Sequence, residues 1–526
     1  MFIEGSSKST RLGLGKFGPA WIGTMAALFL VFAFGVFAYS RQVIDGETVG
    51  GLRTIGVGGA SWGLYIVFVV FFIGVSFAGI SISAMIRLFG IHDLKPLARM
   101  AELLTIIALS LGACCILADL GRPLSGLLNL PRYARVMSPF FGTFTLVISG
   151  YLFASVVYFF LSGRPDAAYL AERTKFWPLR LFYRIWAMGF NSTPDAFNRH
   201  ANSSFWLSLL ILPLLITAHS TLGFIFGIQS SRPGWYSALQ APGFVVMAGI
   251  SGTGVILIIA AALRHFLDLK ATITAKSFKW LGIMLMILCV VYIYFIIVEE
   301  LTAHYAGPAM DKEVAHEIVS GVYAGYFWTA VGCLLASFFL LFYQYVRGQT
   351  SIGLHVLAGI LVNVAAVAKR FIIVIPSQTH GTLLPYRHGY YFPTWVECGV
   401  VTGLMAAGAM AYLTFLKIFP IMPLHTVDHE EPLLQVDLQE SKVSHLRRLV
   451  LFGLTLAIGL TLVVVGFLLS ARFGTNVKLD PILPFSPVIF IAGIMTCFIS
   501  SIVYEVVPEV KPHHAAKARA HAVGHG

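Results

Sequence analysis

Charge is what this 526-residue sequence has least of. Asp, Glu, Lys and Arg make up 11% of it, against about 25% in a soluble globular chain. Hydrophobic residues account for 57%, and the mean hydropathy is +0.82. Such a chain cannot present a charged surface to water, because most of it sits where charge is expensive. Cysteine is also scarce. Cys114, Cys115, Cys289, Cys333, Cys398 and Cys497 all fall inside apolar stretches, with no CxxC among them. That leaves no motif for a thiolate zinc site or an iron–sulfur cluster held by this chain. Histidine is thin at membrane depth as well. Only His219 and His355 lie well inside apolar stretches, at different depths, so the facing pairs of a di-haem cytochrome b are missing.

What the sequence has is long apolar runs. A bilayer core of about 30 Å takes about 20 residues of helix. Twelve stretches qualify: 18–40, 58–88, 97–119, 137–162, 203–229, 242–266, 279–303, 321–346, 351–375, 392–419, 448–471 and 483–505. The fold class is therefore all-α, a polytopic membrane protein of about 10–12 transmembrane helices. The first run follows Lys8, Arg11 and Lys16 and lacks a small-residue cleavage site, so it reads as a retained span and not a removable signal.

The net charge of +12 is distributed unevenly. On the side of the N-terminus the tails and loops hold 24 Lys and Arg, and on the opposite side 10, with Lys369 and Arg370 inside a span. The positive-inside rule then puts both termini in the cytoplasm. The basic excess reads as topology and contact with anionic lipid, not as nucleic-acid binding. The stretch Leu170–Phe190 interleaves Arg173, Lys175, Arg180 and Arg184 with Phe176, Trp177, Phe182, Tyr183 and Trp186, a composition suited to a segment lying among lipid headgroups.

A repeat is visible. Spans 2 and 6 end in Arg87 and Arg264; spans 3 and 7, which follow, end in Asp119 and in Glu299 and Glu300. The offset of four helices is even, so both units share one orientation. The expected organisation is a cytoplasmic tail over 1–17 and a membrane domain over 18–425. That domain would hold two tandem four-helix bundles, about 58–229 and 242–375, flanked by helices 18–40 and 392–419. An acidic linker (426–447), two appended helices (448–505) and a His-bearing tail (506–526) would follow.

Ionisable residues inside a membrane are functional candidates, since each is costly unless paired or wet. They gather toward the outer face: Asp119, Arg122, His219, Arg232, Glu299, Glu300, Arg370 and Glu397. Each has a structural reading too, as a helix-end ion pair or a hydrogen-bonded core histidine. Acids, a histidine and arginines converging at one depth predict a site for a polar ligand with proton chemistry. On that reading Arg370 pairs with a buried acid of span 3, 7 or 10.

Several motifs stand in order along the chain. They are Ser61-Trp-Gly-Leu-Tyr65, Asp119-Leu-Gly-Arg-Pro123, His219 with Ser231-Arg-Pro-Gly-Trp235, Glu299-Glu-Leu-Thr302, Lys369-Arg370 before Pro376, and Tyr391-Phe-Pro-Thr-Trp395-Val-Glu397. Over residues 18–425 the sequence resembles the polysulfide reductase membrane subunit (NrfD-like) family, in its ten-helix branch. That branch holds the membrane subunits of periplasmic hydrogenases, sulfur-metabolism complexes and alternative complex III. The resemblance implies a quinone or quinol cofactor (menaquinone or ubiquinone) near the outer face and no haem or iron–sulfur cluster in this chain. It also implies an extracytoplasmic ferredoxin-like iron–sulfur partner and a catalytic subunit of molybdopterin, hydrogenase or cytochrome type, in a prokaryotic cell membrane. On it, Asp119, His219, Glu299 and Glu300 handle protons, while Arg122, Arg232, Arg370 and Glu397 hold the cofactor. Outer loops 121–136, 230–242 and 376–393, carrying Arg122, Arg132, Arg135, Arg232 and Arg387, would form the partner's platform. Spans 11 and 12 and the His-bearing tail exceed the ten-helix pattern. A twelve-helix secondary transporter is the alternative, but it would repeat every six helices and centre its site at the midplane.

Overall fold

The computed structural model describes residues 14–52, 60–133, 142–191, 194–380, 389–424, 442–472 and 485–507. Within them the chain is helical, with no strand. The helices are α1 (Pro19–Asp45), α2 (Leu64–Phe89), α3 (Ala98–Asp119), α4 (Pro123–Tyr133), α5 (Gly142–Arg173), α6 (Trp177–Ala187), α7 (Pro194–Gly227), α8 (Gln240–Phe266), α9 (Ala275–Ala306), α10 (Ala309–Val319), α11 (Ala324–Val346), α12 (Ile352–Val374), α13 (Pro376–Thr379), α14 (Trp395–Ile418), α15 (Lys442–Arg472) and α16 (Ser486–Val506). Among the described residues eleven helices are long and apolar enough to cross a membrane. The helix over the expected span 137–162 is α5, whose second half carries Arg164, Pro165 and Asp166 and which stands outside those eleven. Helices dominate for a physical reason: in lipid every backbone N–H and C=O must be satisfied within its own segment. The chain is an all-α, multi-pass membrane protein.

Packing follows a closed pattern. Helices α2, α3, α5 and α7 each pack on the next, and α7 returns to α2. Helices α8, α9, α11 and α12 do the same, and α12 returns to α8. The rings meet where α2 packs on α8, with α7 on α8 and α2 on α12 at either side. Outside them, α1 pairs with α14, which rests on α3 and α2. Helices α15 and α16 form a second pair, and α16 rests on α5 and α7.

Small residues set the closest crossings. A Cβ on Gly35 of α1 would stand 2.6 Å from Gly403 Cα of α14, so the two backbones touch as glycine alone permits. The outer faces are apolar and exposed: Leu30 (71%) and Phe37 (55%) on α1, Leu454 and Leu468 on α15. Exposure of that kind suits lipid, not water.

Charged residues pin the packing at the basic end. Arg99 of α3 pairs with Asp166 of α5, and its guanidinium also donates to Pro420 O (3.2 Å) and Met422 O (3.4 Å). The appended pair is held by Glu505 of α16. That carboxylate accepts from Arg164 Nη1 (2.7 Å) and Ser203 Oγ (2.7 Å), with His200 Nδ1 at 3.0 Å.

Candidate functional site

The Asp119-Leu-Gly-Arg-Pro123 motif ends α3 in a tight turn. Gly121 has φ +63°, and a Cβ there would meet Glu47 Oε1 at 1.9 Å. The left-handed backbone is what favours glycine here. The turn leaves Asp119 buried beside Tyr65 of α2 and Arg122 exposed. Gln42 of α1 ties the corner together: Tyr65 Oη donates to Gln42 Oε1 (2.5 Å), and Gln42 Nε2 donates to Ala118 O (2.9 Å).

Glu397 lies next to this corner, fully buried. Its Oε2 accepts from Tyr391 Oη (2.5 Å) and from the Thr394 backbone N–H (3.4 Å), and its Oε1 accepts from Leu64 N–H (3.2 Å). One carboxylate thus completes the capping box of α14 and satisfies an orphan N–H at the start of α2. Burial, with the Glu397 carboxylate beside it, pushes the Tyr391 phenol above its usual range, so the hydroxyl stays a donor. The expected cofactor ligand Glu397 is occupied in helix capping.

His219 sits in the C-terminal third of α7, 1% exposed. Its Nδ1 is 2.8 Å from Leu215 O and its Nε2 is 2.8 Å from Ile73 O of α2. Phe77 and Tyr151 meet the ring edge-on. Both nitrogens face backbone carbonyls, so the imidazole bridges α7 to α2.

The second ring holds a different cluster. Lys369 Nζ of α12 bonds Glu299 Oε2 of α9 at 2.8 Å, and Gln240 Nε2 of α8 approaches Glu299 Oε1 at 3.4 Å. Glu300 pairs instead with His304 of its own helix, Oε2 to Nδ1 3.5 Å. Arg370 is 2% exposed and lies 4.2 Å over the Phe244 ring, with Nη2 at 3.5 Å from Phe244 O. Its Nη1 is buried without a hydrogen-bond partner among the described residues. The expectation that Arg370 pairs with a buried acid is corrected here: its neighbour Lys369 takes Glu299, and among the described residues no carboxylate pairs with Arg370. A narrow crevice of about 10 Å³, room for about one water, adjoins the cluster, lined by Gln240, Gly243, Phe244, Tyr292, Phe295 and Glu299.

The expected single depth is also corrected. Asp119 stands level with Tyr65, whereas His219 contacts Ile73, eight residues further along α2 and so about 12 Å deeper. Asp119 and Glu397 share the corner between α2, α3 and α14. Arg370 and Glu299 share the second ring, where Arg370 is within electrostatic reach of His219. Arg232 leans on Trp235 at 5.9 Å, and Trp235 Nε1 donates to Ile373 O (2.6 Å), seating the turn between α7 and α8 on α12. Of the expected platform, 134–136 and 381–388, with Arg135 and Arg387, lie outside the described residues. Gln240 and Tyr292 border the second-ring cluster and are not singled out by the sequence, whereas Tyr65 stands in the Ser61–Tyr65 motif. Gln240 and Tyr292 are each a polar group within an apolar helix, and that is the one signal they offer.

Helices that satisfy their own backbone, with buried polar clusters among them, define a polytopic membrane protein. Residues 56–381 match the family described as polysulphide reductase, NrfD, and the chain belongs to that family. It is 27% identical over 431 residues to a putative dimethyl sulfoxide reductase membrane subunit of Halobacterium salinarum, covering 77% of this chain and 92% of the relative. It is 26% identical to a selenate reductase subunit of Mesobacillus selenatarsenatis over 69% of this chain and 86% of the relative. To the Hdr-like menaquinol oxidoreductase integral membrane subunit of Archaeoglobus fulgidus it is 25% identical, over 76% and 93%.

Proposed function

We propose that this chain is the quinone-reactive membrane subunit of a multi-subunit oxidoreductase, exchanging electrons between a membrane quinone and an extracytoplasmic iron–sulfur subunit. The family supports this reading, as does a relative named as a menaquinol oxidoreductase membrane subunit. The observation that carries it is Arg370. A guanidinium keeps its charge, and a buried donor without an acceptor costs about 1–3 kcal/mol or more. Such a group fits a ligand oxygen. The narrow crevice behind Phe244, the ring under Arg370, has Phe295 as a further apolar wall and Gln240, Tyr292 and Glu299 as polar groups, and it would have to widen to admit a quinone ring.

A quinone, when bound, supplies the two-electron, two-proton redox chemistry. The chain's own residues then have defined tasks. Arg370 Nη1 donates to the oxygen and stabilises negative charge that develops there. Glu299, 28% exposed by its side chain and held by Lys369, is the carboxylate lining the crevice and can accept a proton. Asp119, buried at the same membrane end, is the second proton-handling carboxylate. His219 fixes α7 against α2 and so positions the wall between the rings. By the charge asymmetry, the face with Asp119 and Glu299 is extracytoplasmic and both termini are cytoplasmic. The partner would then dock over the turn at Arg232 and the exposed Tyr236.

The test is quinone-analogue binding to the full-length chain in lipid nanodiscs. Arg370→Met should abolish binding with helicity and monodispersity kept, and Arg370→Lys should restore part of it. Unchanged binding by Arg370→Met refutes the site. A photo-crosslinker at Tyr236 should capture a soluble partner from the extracytoplasmic side; capture only from the α5–α7 side reverses the orientation.

A further inference from the structure

A second feature lies at the opposite end of the membrane. Along α14, Ala407, Met410, Ala411, Thr414 and Ile418 recur at three- and four-residue spacing, so they form one stripe. With Phe32 of α1 they line an open apolar groove of about 420 Å³. Ala407 to Ile418 is eleven residues, a rise of about 16 Å, close to one leaflet's share, about 15 Å, of the bilayer core. The groove therefore starts near mid-membrane and ends at the basic face. Phe415, also in its lining, packs against Phe159 of α5 (5.4 Å) and Trp186 of α6 (6.3 Å), which ties this helix to α6.

Cations converge where the groove ends. Lys417 precedes Ile418, and its carbonyl accepts from Gly15 N–H at 3.0 Å. The exposed Lys16 follows directly and lies near enough for the two ammonium charges to feel one another. Helix α6 sits over the same end, since Tyr183 Oη donates to Ile418 O. It buries Tyr183 and Trp186 against the protein and leaves Arg180 and Arg184 exposed. Its other edge shows Trp177 (63%), Leu181 (47%) and Ile185 (63%), an apolar stripe beside arginines that belongs at the headgroup boundary. An apolar slot one leaflet long, with Lys16 and Lys417 at its end and the arginine-bearing α6 seated on Ile418, suits a molecule with fatty chains and a negative head.

We propose that the α14 groove and the basic collar of Lys16, Lys417, Arg180 and Arg184 form a site for one anionic phospholipid. Its acyl chain lies along Ala407–Ile418, and its phosphate lies against the collar. The site stands apart from the clusters at the other membrane end and needs no quinone.

The test uses the full-length chain, purified in mild detergent from membranes and exchanged against equal amounts of phosphatidylglycerol and phosphatidylcholine. Retained lipid is counted by native mass spectrometry. Wild type should keep one phosphatidylglycerol through delipidating washes. Removing two charges in Lys417→Gln with Arg184→Gln should weaken retention roughly 30-fold, at about 1 kcal/mol per charge. Lys417→Arg should keep it. Ala411→Trp, which fills the slot but leaves the collar, should also lose the lipid while an unchanged melting profile reports the fold. Equal retention of phosphatidylcholine by wild type overturns the proposal, as does undiminished phosphatidylglycerol in the double variant. Recovery of a quinone instead, lost in Ala411→Trp but kept in the charge variants, would make the groove a channel for an isoprenoid tail and equally overturn it.

Discussion

Replacing Glu505 by Gln tests how the appended helix pair is held. Glu505 is fully buried and Arg164 is 2% exposed by side chain. The carboxylate is the shared acceptor for Arg164, His200 and Ser203. Glu505→Gln keeps the shape but leaves the guanidinium buried without its counter-charge, a loss of about 3–5 kcal/mol. Replacing both partners by apolar residues, Glu505→Leu with Arg164→Met, removes the stranded charge. It still forfeits Arg164 Nε on Ala187 O (3.2 Å) and the acceptor for the buried Ser203 hydroxyl. Those neutral losses come to about 1 kcal/mol each, so the double variant should be the more stable of the two. Detergent unfolding is commonly irreversible, so the assay is the half-life at fixed temperature. If the pair is broken in the unfolding transition state, Glu505→Gln shortens that half-life roughly 100-fold or more. A single variant as durable as wild type, or a double variant worse than the single, refutes the reasoning.

Three other outcomes are expected. His219→Ala strips the link from Ile73 O and Leu215 O inside a packed core and should cost about 2–4 kcal/mol, read as a lower melting temperature; unchanged melting with lost quinol turnover would make the histidine a proton carrier instead. Asp119→Asn keeps the shape of the α3 corner and should lower quinol-linked turnover of the assembled complex at least about tenfold with assembly intact, measured on the membrane complex. Gly403→Val drives a side chain into Gly35 and should separate α1 from α14, detected as new protease cleavage near residue 46.

The helices are legible in the sequence because the bilayer dictates them: an apolar run of about 20 residues has one solution in lipid. Asp119, Arg370 and Glu397 are legible as buried because charge inside such runs needs an explanation. Pairing is not legible. Lys369 and Arg370 are adjacent and about 100° apart on α12, and nothing in the sequence says which side faces α9. Depth is hidden as well. Helix α7 runs 34 residues, so counting from its ends does not fix the level of His219 against Tyr65. The capping partners of Glu397, the Leu64 N–H and Tyr391, are hidden in one dimension because they come from elements that meet only in three. The Arg164–Glu505 pair escapes the sequence because the apolar run of span 4 closes at residue 162, two positions short of the arginine.

The contact between the two helical rings has a wider consequence. Exchanging the rings exchanges α7 on α8 with α12 on α2 and leaves α2 on α8 in place. A surface that maps onto itself under such an exchange is the kind a twofold homodimer possesses, where every residue is present twice and a change on one side is imposed on the other. Here both sides are written in one polypeptide, and that obligation is gone. One half can devote its inner helix to a histidine stapled to backbone while the other places a lysine and an arginine there. The molecule keeps the geometry of a symmetric pair and is released from its chemical sameness, so its two halves can take different duties without a second gene product to assemble.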